Sequence, residues 1–369
     1  MKKTGESKNK VCIFSGDISR GGGTEKMAIF LANALCSSGR FEVEIVCICQ
    51  SGGTPRFKLD PRVKITPLCK SWVNPGPGYL IVMKRLYSYL KRRNFSVIID
   101  VDVVLDVLTL PLKPLTGVKV ISWEHFHYAL TLGSSYRKLI RKLTCRFSDC
   151  IVTLTEIDAS TYIREGKPRC RVVPIYNPID RFASDTVPPM SEREKLIVSA
   201  GHLTRRKGYS DLVEAAAILH PSFPDWKFKI YGDGEERETL ENLIRDRGLN
   251  GVFELSGFTG NLADELSKAS IFAMTSRSEG LPMVLLEAKL MKLPSVSYDI
   301  LTGPSEIILN GVNGYLVEPE NVNAFAESLA RLMESERLRE EFSANAWDNI
   351  AKFDSAEITK KWIRLLDSL

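Results

Sequence analysis

Ile271-Phe272-Ala273-Met274-Thr275-Ser276-Arg277-Ser278-Glu279-Gly280-Leu281-Pro282-Met283-Val284-Leu285-Leu286-Glu287-Ala288 reads as a strand, a loop and a helix in succession. The apolar run 271–274 suits a buried strand, and Pro282 suits a first helical position, where a missing N–H costs nothing. Glu279 then falls in the loop. Glu287 falls in the second helical turn, with its side chain leaning back toward the helix N-terminus. Both carboxylates converge on one small volume, into which the first-turn N–H groups also point. That volume suits a ligand combining a phosphate with vicinal hydroxyls: N–H groups and helix dipole for the phosphate, carboxylates for the hydroxyls.

The same alternation extends in both directions. Upstream, residues 196–200, 227–231 and 252–256 read as strands, and 209–219 and 235–245 as helices. Downstream, 295–298 and 314–317 continue the series. The first half has its own set: strands at 10–15, 41–49, 97–101, 119–123 and 150–154, with a helix at 24–36. Short, continuously apolar strands alternating with helices specify parallel sheets covered on both faces. The stretch 177–189, with Pro178, Pro188 and Pro189, breaks the rhythm and reads as a linker. The chain is therefore α/β, with two Rossmann-like units. Residues 356–369 form an amphipathic helix with Trp362, Leu365 and Leu366 on one side.

The bulk numbers agree with two domains. There are 369 residues, 44% of them hydrophobic, and no apolar stretch of the roughly 18 residues a membrane span needs. Residues 1–10 are basic without an apolar signal core, so the chain reads as cytoplasmic. The eight cysteines fall in the first half, with no CxxC pair, and read as buried, reduced thiols. Net charge is +5, but the first half gathers basic residues: Lys84-Arg85, Lys91-Arg92-Arg93, Arg137-Lys138, Arg141-Lys142 and Arg146. The repeat over 137–142 forms a stripe that can lie against an anionic membrane surface. No aromatic platform or binding motif accompanies it, so nucleic acid is not expected as a partner.

Five constellations carry chemistry. Arg20-Gly21-Gly22-Gly23-Thr24-Glu25 follows the first strand, where bare backbone can approach a ligand. It is neither a dinucleotide fingerprint nor a P-loop, since Gly22 stands where the P-loop lysine belongs. Gly201-His202-Leu203-Thr204-Arg205-Arg206-Lys207-Gly208 places three consecutive cations in a strand-to-helix loop, where a phosphate would pair them. Trp123-Glu124-His125-Phe126-His127 ends a strand. A third metal ligand is missing locally, so His125 reads as a cleft residue that touches a sugar hydroxyl or donates a proton, and His127 as packed. Asp100-Val101-Asp102 ends an apolar strand and reads as structural. Gly232-Asp233-Gly234 reads as a tight turn.

In this order these motifs resemble the retaining glycosyltransferases of family 4, with the GT-B architecture. The resemblance rests on Glu279-x7-Glu287 with Gly22-Gly23, His125, Asn177-Pro178-Ile179-Asp180, the loop 201–208, Gly303-Pro304 and Asn313-Gly314. It implies two Rossmann-like domains facing each other across a cleft: an acceptor-binding domain over 1–180, completed by the crossing-back helix at about 355–369, and a nucleotide-sugar-binding domain over 181–354. It implies hexose transfer from a nucleotide-sugar, UDP being the commonest donor nucleotide and UDP-glucose or UDP-galactose therefore the expected donor, to a glycan or lipid-linked acceptor in bacterial surface polysaccharide synthesis. It also implies no cofactor and no metal. By the same likeness Lys207, with Arg205 or Arg206, neutralises the diphosphate, Glu287 holds the ribose diol, and Glu279 contacts the donor sugar. The Gly280 and Leu281 backbone meets the leaving phosphate. Gly22 and Gly23 approach the diphosphate, and His125 touches the sugar near the reacting carbon. One departure is His202, where the family commonly has arginine. The competing readings are a sugar-nucleotide epimerase on the same fold, a glycoside hydrolase using Glu279 and Glu287, and a non-catalytic nucleotide-sugar-binding protein.

Overall fold

The computed structural model describes residues 9–74, 76–130, 135–179 and 187–369. Residues 1–8, and 180–186 within the expected linker (Asp180 included), lie outside the described residues. The chain divides into two compact units, Met1–Asn177 with Ala356–Leu369, and Pro178–Ser355.

The first unit is built on seven parallel strands: β1 (Asn9–Asp17), β2 (Phe41–Cys49), β3 (Lys64–Pro67), β4 (Val97–Val101), β5 (Lys119–Trp123), β6 (Cys150–Thr153) and β7 (Arg171–Pro174), in the order β3-β2-β1-β4-β5-β6-β7. Residues 11–14 of β1 and 45–49 of β2 are buried without interruption, as a sheet covered on both faces requires. The edge strands β3 and β7 are partly exposed and carry Lys64, Pro67, Arg171 and Pro174. Their weak apolar signal hides them from a sequence reading, and their composition suits edges. The helix Ser355–Asp367 packs on this unit, where the Trp362 ring meets Trp123 edge-on, centroids 4.8 Å apart. All eight cysteines are free thiols, and five of them are buried.

The second unit holds six parallel strands: β8 (Leu196–Ala200), β9 (Lys227–Tyr231), β10 (Phe253–Gly257), β11 (Ile271–Met274), β12 (Ser295–Tyr298) and β13 (Gly314–Val317), in the order β10-β9-β8-β11-β12-β13. Helices Tyr209–Leu219 and Val322–Glu334 pack on one face through Leu212, Ala216, Phe325 and Leu329, all buried. In both sheets the order runs outward from the first strand, then restarts on its other side. Each unit therefore has a point, β1/β4 and β8/β11, where successive loops diverge and leave a crevice beyond the carboxyl ends of the strands.

Candidate active site

The β8/β11 point assembles the second unit's charged cluster. The loop after β8 ends in Arg205–Lys207, and the loop after β11 leads into the helix Met283–Leu290. Lys207 Nζ donates to Glu279 Oε1 at 2.8 Å. An Arg206 Nη donates to the Ser278 carbonyl at 2.6 Å and lies 3.3 Å from Glu279 Oε2. Thr302 Oγ1 donates to the Glu279 carbonyl at 2.7 Å, fixing the loop from behind. Burial pushes the Glu279 carboxyl upward, but Lys207 and Arg206 outweigh it and hold the group below its ordinary value, so it is ionised.

Two glycines make this approach possible. Gly208 has φ +63°, and a Cβ there would lie 2.2 Å from the Thr275 carbonyl oxygen. Gly201 has φ +149°, and its Cβ would lie 2.9 Å from the Tyr209 hydroxyl and 3.1 Å from Lys207 Cε. Both need the left-handed backbone and the missing side chain together. Lys207 thus crosses over bare backbone to reach Glu279.

The three cations part company. Arg206 and Lys207 are half-buried and turned to Glu279, whereas Arg205 is exposed. A carboxylate of the protein, rather than only a phosphate, pairs two of them. His202 is exposed, 3.6 Å from the equally exposed Glu235. Gly280 and Leu281 are buried just ahead of the helix, and Glu287 is half-buried in its second turn. Pro282 does not open the helix as its first residue. It precedes it as the cap, with ψ 95° in the extended region, and Met283 is the first helical residue.

The first unit has its own crevice at β1/β4. A cavity of about 500 Å³ is lined by Gly16, Arg20, Gly22, Trp72, Asp102 and Phe126, among others. Gly22 caps the helix Gly23–Ser37, and both Gly22 and Gly23 are exposed. Buried Glu25 accepts from Arg20 at 2.8 Å. Asp102 has φ +90° and accepts two hydrogen bonds from Arg137, at 3.1 and 2.9 Å. The Arg137 guanidinium in turn covers the Phe126 ring at 4.6 Å.

His125, just past β5, packs against Trp123 with the rings tilted by 47° and their centroids 4.4 Å apart. Burial lowers its pKa to about 3 against the opposing pull of Glu124, so the ring is neutral. Its Nε2 is buried with no hydrogen-bond partner among the described residues. His127 is also buried, and its pKa is lowered mainly by that burial. Just before the histidines, Glu124 accepts from Arg141 Nε and the Tyr162 hydroxyl, both at 2.7 Å. Asp100 accepts from the Thr109 hydroxyl, so the Asp-x-Asp pair is spent on internal contacts.

These pairings correct one expectation. The basic stripe over 137–142 is not a surface feature as a whole. Arg137 and Arg141 are buried and spent on Asp102 and Glu124, leaving Lys138 and Lys142 outside. The sequence reading also left out Thr302, Trp72 and the Asp102–Arg137 pair, and gave Glu25 no role of its own. Glu25 had a signal, since an acid in the first turn beside three glycines complements the helix dipole. Trp72 and Thr302 had none. Among the described residues no group of three or more His, Cys, Asp or Glu side chains could hold a metal ion.

Comparison with known proteins agrees with the fold. The family described as Glycosyl transferases group 1 matches residues 180–348, and the one described as Glycosyltransferase Family 4 matches residues 21–181. An uncharacterized glycosyltransferase of Haemophilus influenzae is 28% identical over 361 residues, 97% of this chain and 99% of its own. The amylovoran biosynthesis glycosyltransferase AmsD of Erwinia amylovora is 29% identical over 372 residues, again 97% and 99%. A crystal structure of an S. aureus TarM mutant in complex with fondaparinux, alpha-GlcNAc-glycerol and UDP matches with a TM-score of 0.79 at 17% identity, over 97% of this chain and 99% of that one. With the two family matches adjoining across residues 21–348, and each sheet in its expected place, the chain belongs to the family 4 glycosyltransferases and has the GT-B fold.

Proposed function

We propose that the protein transfers a hexose from a nucleotide-sugar, UDP-glucose or UDP-galactose, to a glycan or lipid-linked acceptor, with retention at the anomeric carbon. The process it serves is assembly of a bacterial surface polysaccharide such as capsule, exopolysaccharide or lipopolysaccharide. The observation that carries this reading is the convergence of Lys207, Arg206 and Glu279 at the β8/β11 crevice, beside the helix that bears Glu287. The amylovoran role of the E. amylovora relative and the UDP in the TarM complex support it.

In this reading Glu287 accepts the ribose hydroxyls. The Lys207 ammonium and the Arg206 guanidinium, poised on Glu279, share their charge with the donor diphosphate, and the Glu279 carboxylate turns to the hydroxyls of the donor sugar. Arg205, exposed, is the lesser partner. Backbone N–H groups of Gly280 and Leu281, at the positive end of the helix Met283–Leu290, meet the leaving phosphate. In the first unit, neutral His125 offers its Nε2 to a sugar hydroxyl, and Gly22 and Gly23 offer bare backbone to a phosphate. The β1/β4 cavity with Trp72 takes the acceptor, whose sugar ring packs on the indole.

The acceptor hydroxyl attacks the anomeric carbon on the face the diphosphate leaves. The bond from that carbon to the phosphate oxygen breaks, and the acceptor proton passes to the departing phosphate. Cations and a helix N-terminus offset the charge, so no divalent metal is required. The work is done at the cytoplasmic face of the membrane. Incubation with a panel of radiolabelled UDP-hexoses and polysaccharide or lipid-linked acceptors tests the reading. UDP released only with acceptor, and a product of retained configuration, is expected. Binding without turnover would make the protein a nucleotide-sugar sensor, and glycan cleavage without nucleotide a hydrolase.

A further inference from the structure

The loop that carries His125 is gripped residue by residue. Glu124 continues the ladder beyond β5, its N–H donating to the Val152 carbonyl at 2.8 Å. Successive side chains of an extended chain point to opposite faces. Trp123 and His125 accordingly lie ring against ring, with Trp362 edge-on to Trp123. Glu124 goes the other way and is fully buried. Its Oε2 accepts from Arg141 Nε and the Tyr162 hydroxyl, and its Oε1 accepts from the Phe126 N–H at 3.2 Å. An Arg137 Nη lies 3.7 Å from the same Oε1.

The grip recurs at every second residue. The Arg137 guanidinium covers the Phe126 ring. The Tyr128 N–H donates to Asp158 Oδ1 at 2.7 Å, and its ring meets Tyr162 edge-on with centroids 4.8 Å apart. An Arg141 Nη donates to the Leu130 carbonyl at 2.6 Å. Arg137 and Arg141 stand one turn apart on the helix Ser135–Phe147, so a single helix holds residues 124, 126 and 130. His125 lies outside this pattern, with its buried Nε2 unpartnered among the described residues. Stability alone does not call for such an arrangement. Replacing a buried ion pair by apolar side chains of like volume is often neutral or stabilising. What charged hydrogen bonds add is direction, because each fixes a distance and an angle. Burial pushes the Glu124 carboxyl upward, but Arg141 and then Tyr162 outweigh it, so the group is an ionised acceptor.

We propose that Glu124 is a positioning residue for His125. Pinned by Arg141 and Tyr162, it fixes the loop after β5 so that the imidazole stays seated against Trp123, with Nε2 open to a substrate hydroxyl. The substrate clause rests on the function proposed above. The seating of the ring does not, so the two can fail separately.

Diethyl pyrocarbonate, which acylates neutral imidazole, reads the seating without turnover. Peptide mass spectrometry of the modified full chain separates His125 from exposed His202, which serves as the internal reference. Tyr162→Phe removes one hydrogen bond to Glu124 and keeps the ring. It should speed modification of His125 roughly tenfold, the scale of one hydrogen bond to a charged group, and leave His202 unchanged. Glu124→Gln should speed it at least as much. Tyr89→Phe is the matched control, because the Tyr89 hydroxyl donates to buried Glu44 at 2.6 Å in the same unit. It should leave His125 at the parent rate. A parent-like rate in Tyr162→Phe, or an equal rise in Tyr89→Phe, would overturn the proposal even where Glu124→Gln does not fold. In a transfer assay Tyr162→Phe should lower kcat roughly tenfold at unchanged UDP affinity, and should add no further loss to His125→Asn. Additive losses would overturn the positioning role. Faster modification of His125 in Tyr162→Phe, in a protein whose parent transfers no sugar, would support the seating and count against the function proposed above.

Discussion

Lys207 Nζ sits 2.8 Å from Glu279 Oε1, bringing together residues 72 apart in the chain at the point where the second sheet reverses its strand order. The two loops that carry them are also tied by Arg277 N–H to the Arg206 carbonyl, at 2.8 Å, and by Arg206 Nη to the Ser278 carbonyl, at 2.6 Å. The pair is thus a structural clasp and, in the proposed reading, the charged floor of the donor site, so its removal should register in stability as well as in turnover.

Lys207→Ala should destabilise the protein by about 1–3 kcal/mol at pH 7, because Arg206 remains beside a buried carboxylate. The sign of its pH dependence follows from Glu279. Its folded-state pKa is depressed below 4.5, so its contribution is present above that pH and is lost as pH falls through the folded value. The gap between parent and variant in urea unfolding should therefore narrow below about pH 4. A gap that stays constant into acid would contradict the pairing.

Arg206→Ala should weaken UDP binding more than Arg205→Ala, since only Arg206 is turned toward Glu279. A difference of roughly tenfold is the scale of one charge-assisted hydrogen bond. The reverse order, measured by calorimetry, would mean that the loop rearranges around the ligand.

Gly208→Ala should cost roughly 2–4 kcal/mol, combining a left-handed φ with a methyl group 2.2 Å from the Thr275 carbonyl. A denaturation midpoint within error of the parent would show that the two loops can part without loss.

Much of this was legible in the sequence, for physical reasons. Central parallel strands announce themselves as largely apolar runs, so β2, β4, β5, β8, β9 and β12 could be read to the residue, and Glu279 and Glu287 placed in loop and helix. Edge strands β3 and β7 lack that signal because one side faces solvent. The basic stripe misled for a related reason. Periodicity shows that Arg137 and Arg141 share a helix face, but not that Asp102 and Glu124 wait beneath it. Long-range partners such as Thr302 carry no local signature at all. That Arg206 rather than Arg205 turns to Glu279 depends on the loop's actual turn.

His125 should act as a neutral imidazole. With its pKa lowered to about 3, turnover should show no break from this residue between pH 5 and 8. Because the folded protein holds the neutral form, the stability it contributes is full above the unfolded pKa near 6.5 and is lost as pH falls from there toward 3. His125→Asn should flatten that acid limb and lower turnover roughly 10- to 100-fold. An unchanged limb with unchanged kinetics would make His125 a packing residue like His127.

The most direct measurement is a calorimetric titration of UDP into the parent protein and into Glu287→Ala. Ribose hydroxyls on a carboxylate are worth roughly 1.5–3 kcal/mol, so the variant should bind about 10- to 100-fold more weakly while melting within a few degrees of the parent. Equal affinity in the two proteins, or no UDP binding by the parent, would contradict the placement of the donor nucleotide at the β8/β11 crevice.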